Sequence, residues 1–109
     1  MKYNNQKVNY DGKVFDSKLE FLRYQQLRLL EKAQKISNLA CQEKFVLIDK
    51  SKHGREISYI ADFTYYKDGK KVVEDTKSSA TKTRLYCLKK RLLAERYGII
   101  IKEITREQI

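Results

Sequence analysis

The sequence predicts an α/β domain: a mixed sheet of about four strands flanked by helices, in the order helix, three strands, helix, strand. Three observations predict it. Two stretches, FDSKLEFLRYQQLRLLEKAQK and RLYCLKKRLLAERYG, carry helical patterning with start or stop signals. Between them lie β-branched and aromatic runs joined by an Asp-Gly pair, a hairpin signal. A last apolar run, IIIKEI, follows the second helix. At 109 residues, 41% of them hydrophobic, the chain suits a single domain, residues 1–109, with one modest core.

Taken in order, KVNYDGKVF (7–15) alternates weakly around Asp11-Gly12 and predicts a small N-terminal hairpin. Ser17 followed three residues later by Glu20 is a capping box, and a helix is predicted over 17–35. Its expected inward stripe is Leu19, Leu22, Gln26, Leu30 and Ala33, with Leu27 and Leu29 beside it. FVLID (45–49) and ISYIADFTYY (57–66) read as strands, separated by the polar loop KSKHGRE. Asp68-Gly69 turns the chain into KVVEDTK (71–77), the returning strand. SSATKT is a polar linker. The second helix has Leu85, Leu88 and Leu92 as its expected stripe and Gly98 as its stop. A strand after a helix enters a sheet by a crossover, so 99–104 should run parallel to 71–77.

Net charge is +10, from 24 basic and 14 acidic residues, which calls for a polyanionic partner. Nucleic acid is favoured over a membrane, because no amphipathic helix shows a broad apolar face flanked by lysines. No stretch suits a membrane span, and MKYNNQKVNY is too polar for a signal peptide, so a cytoplasmic protein is expected. Cys41 and Cys87 lack metal-type spacing, and His53, the single histidine, sits in the polar loop. Zinc chemistry is therefore not expected.

Against this basic background, VVEDTK (72–77) ends a strand in two acids and a lysine. A two-residue loop at Asp68-Gly69 pairs Lys67 with Lys70. Counting outward pairs Phe63 with Glu74 and Asp62 with Asp75. Opposed side chains lie about 5 Å apart at Cβ, and like charges there destabilise a sheet. A divalent cation held by oxygen ligands would compensate. Asp75 shares its face with Asp62 and Lys77, whereas Glu74 points the other way. A longer loop or a bulge would shift the register and make Glu74 the alternative acid. Solvated edge-strand charges are the competing reading, but Asp is depleted in strands and Asp62 sits among Ile60, Ala61 and Phe63. Glu20 could complete such a site besides serving its helix cap.

A helix Glu, a strand Asp and a following D-x-K resemble the PD-(D/E)XK nuclease superfamily, here through Glu20, Asp62 and Asp75-Thr76-Lys77. The element order resembles that superfamily's restriction-endonuclease-like core, over about Phe15 to Ile104. FDSKLEFLRYQQLRLLEKA, YIADFTYYKDGKKVVEDTKS and RLYCLKKRLLAERYG look like a small phage-encoded family of unknown function related to Holliday junction resolvases. Ala61 stands where the superfamily's name has Pro. The resemblance implies an Mg²⁺- or Mn²⁺-dependent endonuclease acting on DNA, structure-selective toward branched or recombination intermediates, in the host cytoplasm if phage-encoded. It implies that Asp62, Asp75 and the Thr76 backbone carbonyl hold the metal, with Glu20 as a further metal or water ligand. Lys77 would orient the attacking water or stabilise the phosphorus centre. Cutting two strands would favour a homodimer. The rivals are an inactive nuclease-fold module that binds DNA or a protein partner, and an RNA-binding or ribosome-associated basic domain.

Between Lys77 and Tyr97 there are seven basic residues against the single acid Glu95. Such a face suits phosphate contacts that add affinity without sequence reading. Lys82, Arg84, Lys89 and Lys90 are the expected DNA contacts. Tyr24, Tyr65, Tyr66 and Tyr86 could stack on bases, though tyrosines in such elements more often line a core.

Overall fold

A computed structural model describes residues 7–10, 12–77 and 82–109. A hairpin of β1 (Val8–Tyr10) and β2 (Lys13–Phe15) leads into helix α1 (Lys18–Lys32). Strands β3 (Ser37–Ile48), β4 (Ile57–Lys67) and β5 (Lys70–Thr76) follow, then helix α2 (Arg84–Tyr97), strand β6 (Lys102–Ile104) and a closing 3-10 turn, Arg106–Gln108. The main sheet has the order β3-β4-β5-β6. Its first three strands are antiparallel, and β6 joins β5 in parallel, as a crossover through α2 requires. The predicted α/β class and mixed four-strand sheet are both present. The N-terminal hairpin forms as well, although Asp11 of its turn lies outside the described residues, as do 78–81 of the linker.

The turn at Asp68 and Gly69 sets the central register. Both residues have positive φ, 52° and 76°, the mark of a two-residue hairpin loop matched to strand twist. Lys67 pairs with Lys70, and the ladder runs without slip to Phe63 opposite Glu74. No bulge interrupts the described β4–β5 pairs, which from Lys67–Lys70 to Phe63–Glu74 are those counted from the turn.

Two apolar cores flank the sheet. Phe15, Tyr24, Leu27, Ile36, Phe63 and Tyr65 pack under α1. Phe45, Leu47, Tyr59, Ala61, Val73, Tyr86, Leu93 and Ile101 pack under α2. β4 supplies both: Tyr59 and Ala61 belong to the α2 core, Phe63 and Tyr65 to the α1 core. In a regular strand these odd-numbered residues would share one face. The alternation therefore breaks at Asp62. On β3 the matching position is Gln42, at φ 60° between the pairs Cys41–Phe63 and Glu43–Ala61.

Helix faces and some boundaries differ from expectation. α1 starts at the predicted cap, with Ser17 Oγ accepting from the Glu20 N–H at 3.2 Å, but it ends at Lys32, before Gln34 at φ 61°. It buries Glu20, Arg23, Tyr24 and Leu27, while the expected Leu22 and Leu30 are 47% and 37% exposed. The cause is a buried ion pair between Arg23 and Glu74, which turns a charged residue inward. α2 likewise buries Tyr86 and Leu93, leaving Leu85 and Leu88 exposed and Leu92 partly covered. There the Tyr86 hydroxyl reaches Glu103 on β6 at 2.8 Å. β3 begins at Ser37, well before the expected 45: SNLACQEK pairs with β4 although it is polar and interrupted by positive φ at Asn38 and Gln42. β6 is three residues long, shorter than the expected 99–104.

Candidate active site

The break at Asp62 coincides with the end of the described β4–β5 ladder. Side-chain bonds take over there. Asp62 Oδ2 accepts from the Thr76 N–H at 2.8 Å and from Thr76 Oγ1 at 2.9 Å. Asp75 is buried, and Lys77 Nζ lies 3.2 Å from its Oδ2. The backbone fixes Lys77, whose N–H donates to Ile104 O at 2.9 Å. Its ammonium also sits 3.9 Å from the ring centroid of Tyr86, a cation–π contact.

Burial pushes the Asp62 carboxyl well above the usual carboxylate range, helped by a hydrogen bond with Asp75 and by the charges of Asp75 and Glu20; the Thr76 N–H opposes this. A nearby positive charge would favour the ionised form of Asp62. Glu20, buried in the first turn of α1, is raised to about 7, chiefly by burial and then by the charges of Asp16 and Asp75. Its Oε2 accepts from Gln42 Nε2 at 3.4 Å. Asp62 and Asp75 thus meet, and Glu20 stands within electrostatic reach of both. Among the described residues no three acids, histidines or cysteines draw close enough to form a ready-made metal cluster.

Glu74 lies under α1, fully buried. Arg23 grips it through Nε at 2.8 Å and Nη2 at 2.7 Å, and the Tyr65 hydroxyl donates to its Oε2. This geometry occupies Glu74 structurally, away from Asp62. Tyr24 and Tyr65 are core residues, and Tyr66 is exposed.

Of the expected DNA contacts, Lys82 and Lys90 bind Glu103 at 2.8 Å and 3.2 Å. Arg84 is exposed at the start of α2, and Lys89 is half-buried. Glu103 pairs in register with Asp75. Burial pushes the Glu103 carboxyl up, but hydrogen bonds from Lys82, Tyr86 and Lys90 outweigh this and hold it at about 2.

Sequence reasoning missed two groups. Glu103 could have been found by carrying the parallel register of β6 across to Asp75. Tyr59 could not, since strand alternation assigns it to the face opposite Asp62. It is 5% exposed, and its enclosed hydroxyl makes no hydrogen bond of standard geometry among the described residues. Burial raises that hydroxyl's pKa, the nearby charges of Asp75 and Asp62 add to the rise, and so does a hydrogen-bond-like interaction with the Asp75 side chain.

A family model described as "Protein of unknown function (DUF1064)" matches residues 1–107. No curated protein and no solved structure matches the chain.

Proposed function

The chain belongs to the DUF1064 family, and we propose that it is a metal-dependent endonuclease of PD-(D/E)XK type that hydrolyses phosphodiester bonds in branched DNA. The observation that carries this reading is the meeting of Asp62 and Asp75 where the β4–β5 ladder stops, with Lys77 on Asp75.

The donor set fits a hard divalent cation. Two carboxylates lie together, and the raised Asp62 carboxyl means that Lys77 alone does not offset their charge. Mg²⁺ or Mn²⁺ takes one or two carboxylates and fills its remaining positions with water and phosphate oxygens. Asp62, Asp75 and the Thr76 carbonyl would hold it. When bound, such an ion acidifies water and neutralises charge on the phosphate.

The chain's own groups supply the rest. Lys77 is held by the Tyr86 ring, by Asp75 and by its N–H bond to Ile104, and its ammonium would serve the reacting phosphate as a fixed positive charge. Glu20, raised to about 7, is suited to hold or release a proton near neutral pH. Arg84 and Lys89 would contact flanking phosphates, while Lys82 and Lys90 are shared with Glu103. A second copy of the chain would be needed to cut two strands.

The test is cleavage of labelled duplex, single strand, flap and four-way junction with Mg²⁺ or Mn²⁺. Asp75→Ala and Lys77→Ala should each abolish cutting. A wild type that binds these DNAs and cuts none would leave an inactive nuclease-fold binding module as the better account.

A further inference from the structure

Beside Asp75 and Lys77 the surface opens into a depression of about 410 Å³, whose lining includes Tyr59, Ile60, Leu85 and Lys89. One feature of it is unused by the chemistry proposed above. Ile60 and Leu85 are 52% and 59% exposed, large aliphatic groups next to a charged site.

We propose that this depression receives one unpaired base next to the phosphate at Asp75 and Lys77, so that the substrate is DNA carrying an unpaired nucleotide, such as a flap or fork, in preference to continuous duplex. The inference rests on the nuclease reading for its placement of the phosphate. A planar base has two apolar faces and is held in protein sites between aromatic or aliphatic side chains. Ile60 and Leu85 offer such surfaces, and Lys77 and Lys89 supply positive charge for the adjoining phosphates. The volume is that of a site for one small group rather than a duplex. Continuous duplex keeps base faces stacked, so it could engage the aliphatic walls only by unstacking. Lysine and arginine contacts alone would attract all DNA alike.

The experiment is fluorescence anisotropy in EDTA with a labelled flap, a duplex of matched length, and the same flap with abasic residues at its first three unpaired positions. The wild type should bind the flap at least about fivefold tighter than the duplex, the scale of one stacked base. The abasic flap should lose that advantage. Ile60→Ala and Leu85→Ala, both at exposed positions, should lose it too while keeping duplex affinity. Equal binding of flap and duplex overturns the proposal. So does an advantage that survives both the abasic residues and the two alanines. No metal is present, so the outcome is independent of cleavage. A flap preference of this kind in a protein that never cuts would sink the nuclease reading alone. Metal-dependent cutting without the preference would sink this inference alone.

Discussion

Glu74 and Asp75 are neighbours in the chain, yet they serve opposite sides of the sheet. Glu74 is clamped by Arg23 and Tyr65 beneath α1, and Asp75 meets Lys77 and Asp62 on the side of Tyr59 and Tyr86. Removing Arg23 would leave a buried carboxylate without its counter-charge. Arg23→Ala should therefore cost about 3–5 kcal/mol in urea unfolding. Asp75→Asn removes one of two facing acids and should cost far less. Equal losses for the two variants would show that Glu74 is not the structural acid.

The Asp62 carboxyl gives the stability a pH dependence. Burial beside Asp75 raises it well above its ordinary value of 3.8 in the fold. Over that range the folded chain keeps a proton that the unfolded chain has released. Ionisation therefore works against folding, and stability present at low pH is lost as pH rises through the raised folded-state value. Glu20, raised from 4.5 to about 7, acts in the same direction. Thermal melts in EDTA from about pH 5 to about pH 8 should show a wild-type Tm declining more steeply than that of Asp62→Asn. Parallel curves would count against the assignment.

Tyr59→Phe deletes a hydroxyl that is buried and makes no hydrogen bond of standard geometry among the described residues. Such a group costs about 1–3 kcal/mol when left unsatisfied. The variant should melt no lower than the wild type and up to several degrees higher. A clear fall in Tm would mean that the hydroxyl has a structural partner.

The β4–β5 register depends on Gly69, at φ 76° with open space where a Cβ would stand. Gly69→Ala should cost about 1–2 kcal/mol through backbone strain alone. D-alanine at the same position, introduced by chemical synthesis, should recover that loss. Failure of the D-residue to recover it would point to a steric cause.

Much of the fold was legible because its signals are local. Asp68-Gly69 set the central register, Ser17 and Gly98 marked helix ends, and a strand after a helix implied the parallel β6. The helix faces were not legible. Arg23 and Glu20 face inward because of partners, Glu74 and Gln42, that are remote in sequence. Hydrophobic periodicity cannot see such pairs and instead followed Leu22 and Leu30, which are exposed. The first half of β3 was missed because its polar residues lack alternation. Counting from the turn put Asp62 opposite Asp75; their side chains do meet, but the backbone ladder ends one pair earlier, at Phe63 and Glu74. The break in β4 that brings Tyr59 to the same place has no local signature, because only the two cores reveal it.

That break has a mechanical consequence. β4 is a single span shared by both cores, and Asp62 with its bonds to Thr76 sits at the crossover point. Prying either helix away loosens the strand on which the other rests, so the carboxylates stay assembled only while both layers are closed. Amide hydrogens of Phe63 and Thr76 should accordingly exchange at the slow rate of whole-molecule opening, whichever core is weakened.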